Sequence, residues 1–131
     1  MPAVRLAAVA DPASGATRNP ADRLDCPTAY TEIGDLFADP AVDAVVIATP
    51  ARTHADLVEA AARAGKAVCC EKPMATTLAD ADRAIAAAEA GVPLQVGFNR
   101  RYDAGFRAAH EKVATGAIGT PQLLRSLTRD P

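Results

Sequence analysis

Aromatic residues are scarce: the 131-residue chain has no tryptophan, two tyrosines and three phenylalanines. Rings therefore cannot fill its interior, and alanine, valine and leucine must build the core, since half of the residues are hydrophobic. Cysteine is too sparse for a disulfide framework, and no CxxC occurs. Cys69 and Cys70 are adjacent, and neighbours on a strand point to opposite faces, so they are not expected to bridge. With only two histidines, no metal site is expected. This usage fits buried, apolar thiols in a reducing, cytoplasmic compartment. Charge is balanced, with 14 basic and 16 acidic residues and a net charge of −2. The charges are mixed along the chain, which leaves no basic stripe for nucleic acid. No apolar run approaches the roughly 20 residues of a membrane span. The start, Met1-Pro2-Ala3-Val4-Arg5, reads as neither signal nor transit peptide.

What is present is an alternation of short apolar runs with helical periods. Val4 to Ala10 reads as a buried strand ended by Asp11-Pro12, and residues 12 to 30 as loop. Thr31 to Ala38 fits a short helix closed by Asp39-Pro40. Val42 to Ala48 is a continuous apolar run, the mark of a parallel strand covered on both faces. A helix follows from Thr53 to Ala64, with Thr53 and Asp56 as a capping box and Gly65 at the position after its end. Ala67 to Cys70 is the next strand. Thr77 and Asp80 repeat the helix-start signature, and Leu78, Ala81, Ile85 and Ala88 mark a face. Leu94 to Phe98 is a further strand, Phe106 to Thr115 a helix stopped by Gly116, and Leu123 to Leu127 the opening of another strand. This pattern predicts an α/β fold with a parallel sheet and covering helices.

Glu71-Lys72-Pro73 stands at the carboxyl end of the strand Ala67–Cys70. Ligands bind at that edge of an open α/β sheet, so an amine there can meet a substrate. Pro73 fixes φ and ends the strand. On spacing alone, a surface ion pair in a loop explains these residues equally well. Asp11 ends the first strand, where a dinucleotide fold places the acid that accepts from the adenosine ribose. A plain turn residue is the simpler reading. No GxGxxG occurs, and only ten residues precede Asp11, although the glycine loop lies about 20 residues before that acid. The first strand, glycine loop and first helix of a Rossmann-like fold are thus expected to be lacking. His110 is expected to be exposed, and Arg101 with Asp103 to form a local ion pair.

The run Ala44-Val45-Val46-Ile47-Ala48-Thr49-Pro50 with His54 comes first, followed by Glu71-Lys72-Pro73 and Gly97-Phe98-Asn99-Arg100-Arg101-Tyr102-Asp103. In this order and spacing the set resembles the Gfo/Idh/MocA oxidoreductase family, and within it most the inositol 2-dehydrogenases. The resemblance covers nearly the whole chain. It implies a Rossmann domain, here residues 1–121, with residues 122–131 beginning a second α/β domain. It implies NAD as cofactor, bordered by Asp11, Thr49, Pro50, His54 and Glu71. Lys72 would be the catalytic amine, with Asn99 and Arg100 approaching the substrate. The implied reaction moves a hydride from a secondary alcohol of a cyclic polyol to NAD, with a homo-oligomer expected only of a full-length chain. Two family features are missing, the glycine loop and the later Asp and His pair of the second domain. The alternative is a non-catalytic remnant or interaction module that binds no dinucleotide.

Overall fold

Parallel pairing organises the observed structure, a computed structural model that describes residues 4–12 and 24–127. The chain forms two compact units divided between Gly97 and Phe98. In the first, β1 (Ala8–Ala10) pairs in parallel with β2 (Thr28–Tyr30), Ala8 opposite Thr28. A second sheet has the order β3 (Ala44–Ile47), β4 (Ala67–Cys70), β5 (Leu94–Val96), again all parallel. Among its described residues are the α-helices α1 (Ile33–Ala38), α2 (His54–Arg63) and α3 (Leu78–Glu89).

β2 corrects the expectation of loop over residues 12 to 30. Thr-Ala-Tyr is too short for a visible alternation, and its ladder to β1 supplies what periodicity does not. Residues 13 to 23 lie outside the described part. The first strand is also shorter than the run Val4 to Ala10.

A doubly wound sheet runs 3-2-1-4-5-6, and the observed orders β2-β1 and β3-β4-β5 fit it with one position between them. A cavity of about 870 Å³ lies there, lined by Val4 to Ala10 on one side and Ala44 to Ile47 on the other. β3 is consequently covered on one face only: Val45 and Ile47 are buried, whereas Val46 is 78% exposed. This corrects the expectation of cover on both faces. The apolar run is suited to two-sided burial, but no described element packs on its second side.

The covered face carries the core: Val42, Val45, Ile47, Ala55, Val58, Ala61, Val68, Cys70 and Ala84 form one cluster. α2 packs on β3, β4 and α3. It ends as expected, with Gly65 at φ +73, its N–H bonded to Ala62 O and that of Lys66 to Ala61 O. That pairing closes the helix with a residue in the left-handed region, where glycine has no Cβ to clash. The Lys66 ammonium donates to Asp39 O and Val42 O, both at 2.8 Å, and fixes the entry to β3.

α3 begins as expected: Thr77 Oγ1 accepts from Asp80 N at 3.1 Å and donates to Asp80 Oδ2 at 2.7 Å. Its buried face is Ala84 and Ala88, while Leu78 and Ile85 are exposed. The expected face was therefore half right, because burial follows the four-residue step through the alanines. On the rim of α2 and α3, Arg83 pairs with Asp56, Asp80 and Glu59, and Arg63 also pairs with Glu59. Bonding to Asp56, then Asp80 and Glu59, holds the Arg83 guanidinium above its ordinary pKa.

The second unit contains a 3-10 turn at Asn99–Tyr102 and α4 (Ala104–Ala114). Asp103 caps α4, its carboxylate accepting from Phe106 N at 3.0 Å. The expected Arg101–Asp103 ion pair does not form among the described residues; the Asp103 carboxylate caps the helix. Every described residue of this unit is exposed, His110 included. Leu123 to Leu127 form no strand, having no ladder partner among the described residues.

Candidate functional site

Parallel register sets the site, because it brings the carboxyl ends of paired strands to one edge. In the larger sheet Ile47 is opposite Cys70, and Cys70 opposite Val96. The segments after these strands are Thr49-Pro50, Glu71-Lys72-Pro73 and Gly97. Backbone bonds continue the ladder into them: Glu71 N donates to Ile47 O at 2.9 Å and Gly97 N to Cys70 O at 2.8 Å.

After β3 the chain makes a single 3-10 turn, Ala51–Thr53, before α2. Thr53 Oγ1 donates to Pro50 O at 2.8 Å and lies 2.8 Å from Thr49 Oγ1. One hydroxyl proton cannot serve both, so the Thr49 hydroxyl donates to Thr53. This corrects the expected capping box: Thr53 makes no side-chain cap bond, because its hydroxyl closes the preceding turn.

His54 is 2% exposed. Its Nδ1 lies 2.7 Å from Pro73 O and its Nε2 2.7 Å from Thr49 O. The ring thus joins the segment after β3 to the segment after β4. Spacing alone gave no hint of this, since the partners are 5 and 19 residues away.

Glu71 and Lys72 are both exposed, and the Lys72–Pro73 peptide is cis. A Glu71 carboxylate oxygen accepts from Lys72 N at 3.1 Å. Beside it, a Cβ placed on Gly97 would stand 3.3 Å from the Glu71 carboxyl carbon, so glycine leaves room for the acid. The Lys72 ammonium makes no hydrogen bond or ion pair among the described residues, in contrast to Lys66. The surface ion pair that spacing allowed is therefore not formed, and this amine is available to a ligand.

Cys70, at the end of β4, is fully buried, and its thiol donates to Glu71 O at 3.3 Å. Burial first, then the neighbouring Cys69 and Glu71, push this thiol up to about 11, so it stays neutral. Asp11 is exposed just past β1, and its N–H donates to Tyr30 O at 3.2 Å. In the second unit Asn99 and Arg100 lie in the 3-10 turn, and the Arg100 guanidinium sits 5.3 Å from the Phe106 ring centroid. The first unit thus groups Thr49, Pro50, His54, Glu71 and Lys72. Asn99 and Arg100 stand on the other unit.

For a dinucleotide, the first unit offers hydroxyl, carboxylate and amine groups at a strand edge, with Gly97 keeping a cradle open beside Glu71. Groups of this kind can hydrogen-bond ribose hydroxyls. No glycine-rich helix start for the pyrophosphate occurs in the sequence.

Comparison with known proteins agrees with the fold. A family profile described as an oxidoreductase family with an NAD-binding Rossmann fold matches residues 1–98. Myo-inositol 2-dehydrogenase of Thermotoga maritima is 42% identical over 127 residues, covering 96% of this chain and 38% of that protein. The scyllo-inositol 2-dehydrogenase (NAD(+)) of Bacillus subtilis is 35% identical, covering 99% and 38%. Among solved structures, a probable dehydrogenase from Thermotoga maritima superposes with a TM-score of 0.84 at 41% identity, covering 89% of this chain and 36% of that one. The scyllo-inositol dehydrogenase of Lactobacillus casei, solved with NAD(H) and scyllo-inositol, gives 0.82 at 27%, covering 88% and 34%. The chain therefore spans about 38% of the length of these curated relatives.

Proposed function

This chain belongs to the Gfo/Idh/MocA oxidoreductases, a family with an NAD-binding Rossmann fold, and from that we propose that it carries the cofactor-side half of a cyclic-polyol dehydrogenase. The observation that carries the reading is the uncommitted Lys72 ammonium at the carboxyl edge of β4, beside Glu71. NAD, when bound, accepts a hydride from a secondary alcohol carbon. Lys72 holds the reacting hydroxyl and stabilises negative charge developing on its oxygen as the hydroxyl proton passes to water. Glu71 borders the nicotinamide ribose, Thr49 and Pro50 line the cofactor edge, and Asp11 accepts from the adenosine ribose. Asn99 and Arg100 orient the polyol. In this reading residues 1–121 form the dinucleotide domain and 122–131 enter a second one. The inositol dehydrogenases among the relatives support the choice of a cyclic polyol.

The test is NADH formation by a chain of the relatives' length carrying these residues, with inositols beside linear polyols and hydroxy acids. Turnover confined to the cyclic polyols is expected; turnover of the hydroxy acids alone would overturn the substrate class. The 131-residue chain itself is expected to bind NAD more weakly than about micromolar, since it has no pyrophosphate-holding glycine loop. Calorimetric titration giving micromolar binding would contradict this.

A further inference from the structure

Two rows of backbone groups are turned toward the cavity between β1 and β3. In a parallel ladder one residue's N–H and C=O point to one neighbour, and those of the next residue to the other. Asp43 O accepts from Ala67 N, and Ile47 O from Glu71 N. Val45 shares their side, so Ala44 and Val46 direct their N–H and C=O groups away from β4. The same alternation holds on β1. Asp11 N donates to Tyr30 O, which leaves Ala8 and Ala10 directed away from β2. Among the described residues no strand pairs with either row. We propose that the cavity is an acceptor site for an extended apolar segment of a separate polypeptide. The segment enters as a strand parallel to β1 and β3 and pairs with both.

Size and chemistry both select this occupant. Strands lie about 4.8 Å apart, rise about 3.3 Å per residue and pack about 10 Å from the next layer, so a covered strand fills roughly 160 Å³ per residue. The cavity of about 870 Å³ then takes about five residues, close to the four of β3. A small apolar ligand could occupy the volume, but it would leave both rows of donors and acceptors unpaired. Only a peptide backbone offers alternating N–H and C=O groups along two edges, as in strand addition to a sheet. Leu36 and Phe37 of α1 and Leu57 of α2 line the cavity, so inward side chains must be apolar. A second copy's own unpaired run, Leu123 to Leu127, fits poorly. Its alternation sets either Arg125 or Ser126 against these walls, whichever face turns inward.

The site rests on strand pairing and stands apart from the function proposed above. The test is amide-resolved hydrogen exchange of the nitrogen-15-labelled full chain, with and without the peptide acetyl-Lys-Val-Ala-Val-Ile-Val-Lys-amide. The peptide is expected to slow exchange at Ala8, Ala10, Ala44 and Val46 by about tenfold or more, with smaller changes at Val45 and Ile47. The urea midpoint is expected to rise with peptide concentration. The same peptide with proline at its centre lacks a donor and is expected to do neither. In the protein, Val46→Pro removes a cavity-facing N–H and spares the bonds to β4, so the variant is expected to keep slow exchange at Val58 and Ala84 but to lose the response. Equal slowing of both rows, an equal effect of the proline peptide, or a chain left unfolded with peptide present would overturn the proposal. Protection of Ala44 and Val46 before any peptide is added would also overturn it. Protection independent of protein concentration would then assign the slot to the chain itself, and protection that grows with it to a second copy.

Discussion

Gly97 and Glu71 are fitted to each other: a methyl group at position 97 would stand 3.3 Å from the carboxyl carbon of Glu71. The φ of Gly97 is not in the left-handed region, so alanine is allowed by the backbone and denied only by this neighbour. Glu71 is exposed and can turn aside by a few tenths of an ångström. Gly97→Ala is therefore expected to leave stability within about 1 kcal/mol, since reduced freedom in the unfolded chain offsets the crowding. It is expected to displace the Glu71 carboxylate from Lys72 N, weakening cofactor binding in a chain of the relatives' length. Urea unfolding and a cofactor titration check the two parts, and unchanged cofactor affinity would remove Glu71 from the cofactor edge.

Lys72→Met should separate chemistry from binding. The ammonium is exposed and supports no described contact, so its loss should not disturb the fold. In a chain of the relatives' length, turnover is expected to fall by about 10²-fold or more, with cofactor affinity nearly intact. Wild-type turnover in the variant would reduce Lys72 to a surface residue.

Cys70 should be the last thiol to react. At about 11, only roughly one molecule in a thousand carries the thiolate at pH 8, and the side chain is fully buried. Cys26 and Cys69 are half-buried and are expected to alkylate in the folded chain, whereas Cys70 should react only on unfolding. The folded chain holds the thiol proton more tightly than the unfolded one. Its stability contribution is therefore complete below the ordinary value of 9.0 and is lost as pH rises toward about 11. Mass spectrometry of partially alkylated protein gives the order, and early labelling of Cys70 would contradict the burial.

The cavity between the two sheets should make the isolated chain marginal. β1 and β3 each have one ladder edge without a strand partner among the described residues. Unsatisfied buried backbone groups cost roughly 1–3 kcal/mol each, against about 5–15 kcal/mol for a whole domain. A low urea midpoint with association on a sizing column is expected. A monomer with ordinary domain stability would show that these edges are satisfied.

Much of this was legible because local signals and tertiary burial agree in the segment from Ala44 to Val96. Gly65, Thr77 and the apolar run of β4 each have one reading, and the ordered motifs located Lys72 at its strand end. β2 was not legible, since a three-residue strand shows no period and exists only through its partner. The twin carbonyl contacts of His54 were invisible for a related reason: both partners are backbone atoms, which leave no mark in side-chain spacing. Thr53 misled because a hydroxyl near a helix start can close the turn before it instead of capping the helix.

The alanine-lined helices α2 and α3 bear on the order of folding events. Ala55, Ala61, Ala62, Ala84 and Ala88 are buried, and a methyl group has no rotamers to lose on ordering. The contacts of α2 with β3, β4 and α3 link segments near in sequence, which form fastest. The larger sheet with these helices is thus expected to form the kinetic nucleus, and the β1–β2 pair to dock afterwards. In stopped-flow measurements Ala84→Gly should slow refolding, while substitutions in β1 should chiefly hasten unfolding. The reverse pattern would place the nucleus at β1. Residues of least bulk would in this way set the tempo at which the chain becomes a protein.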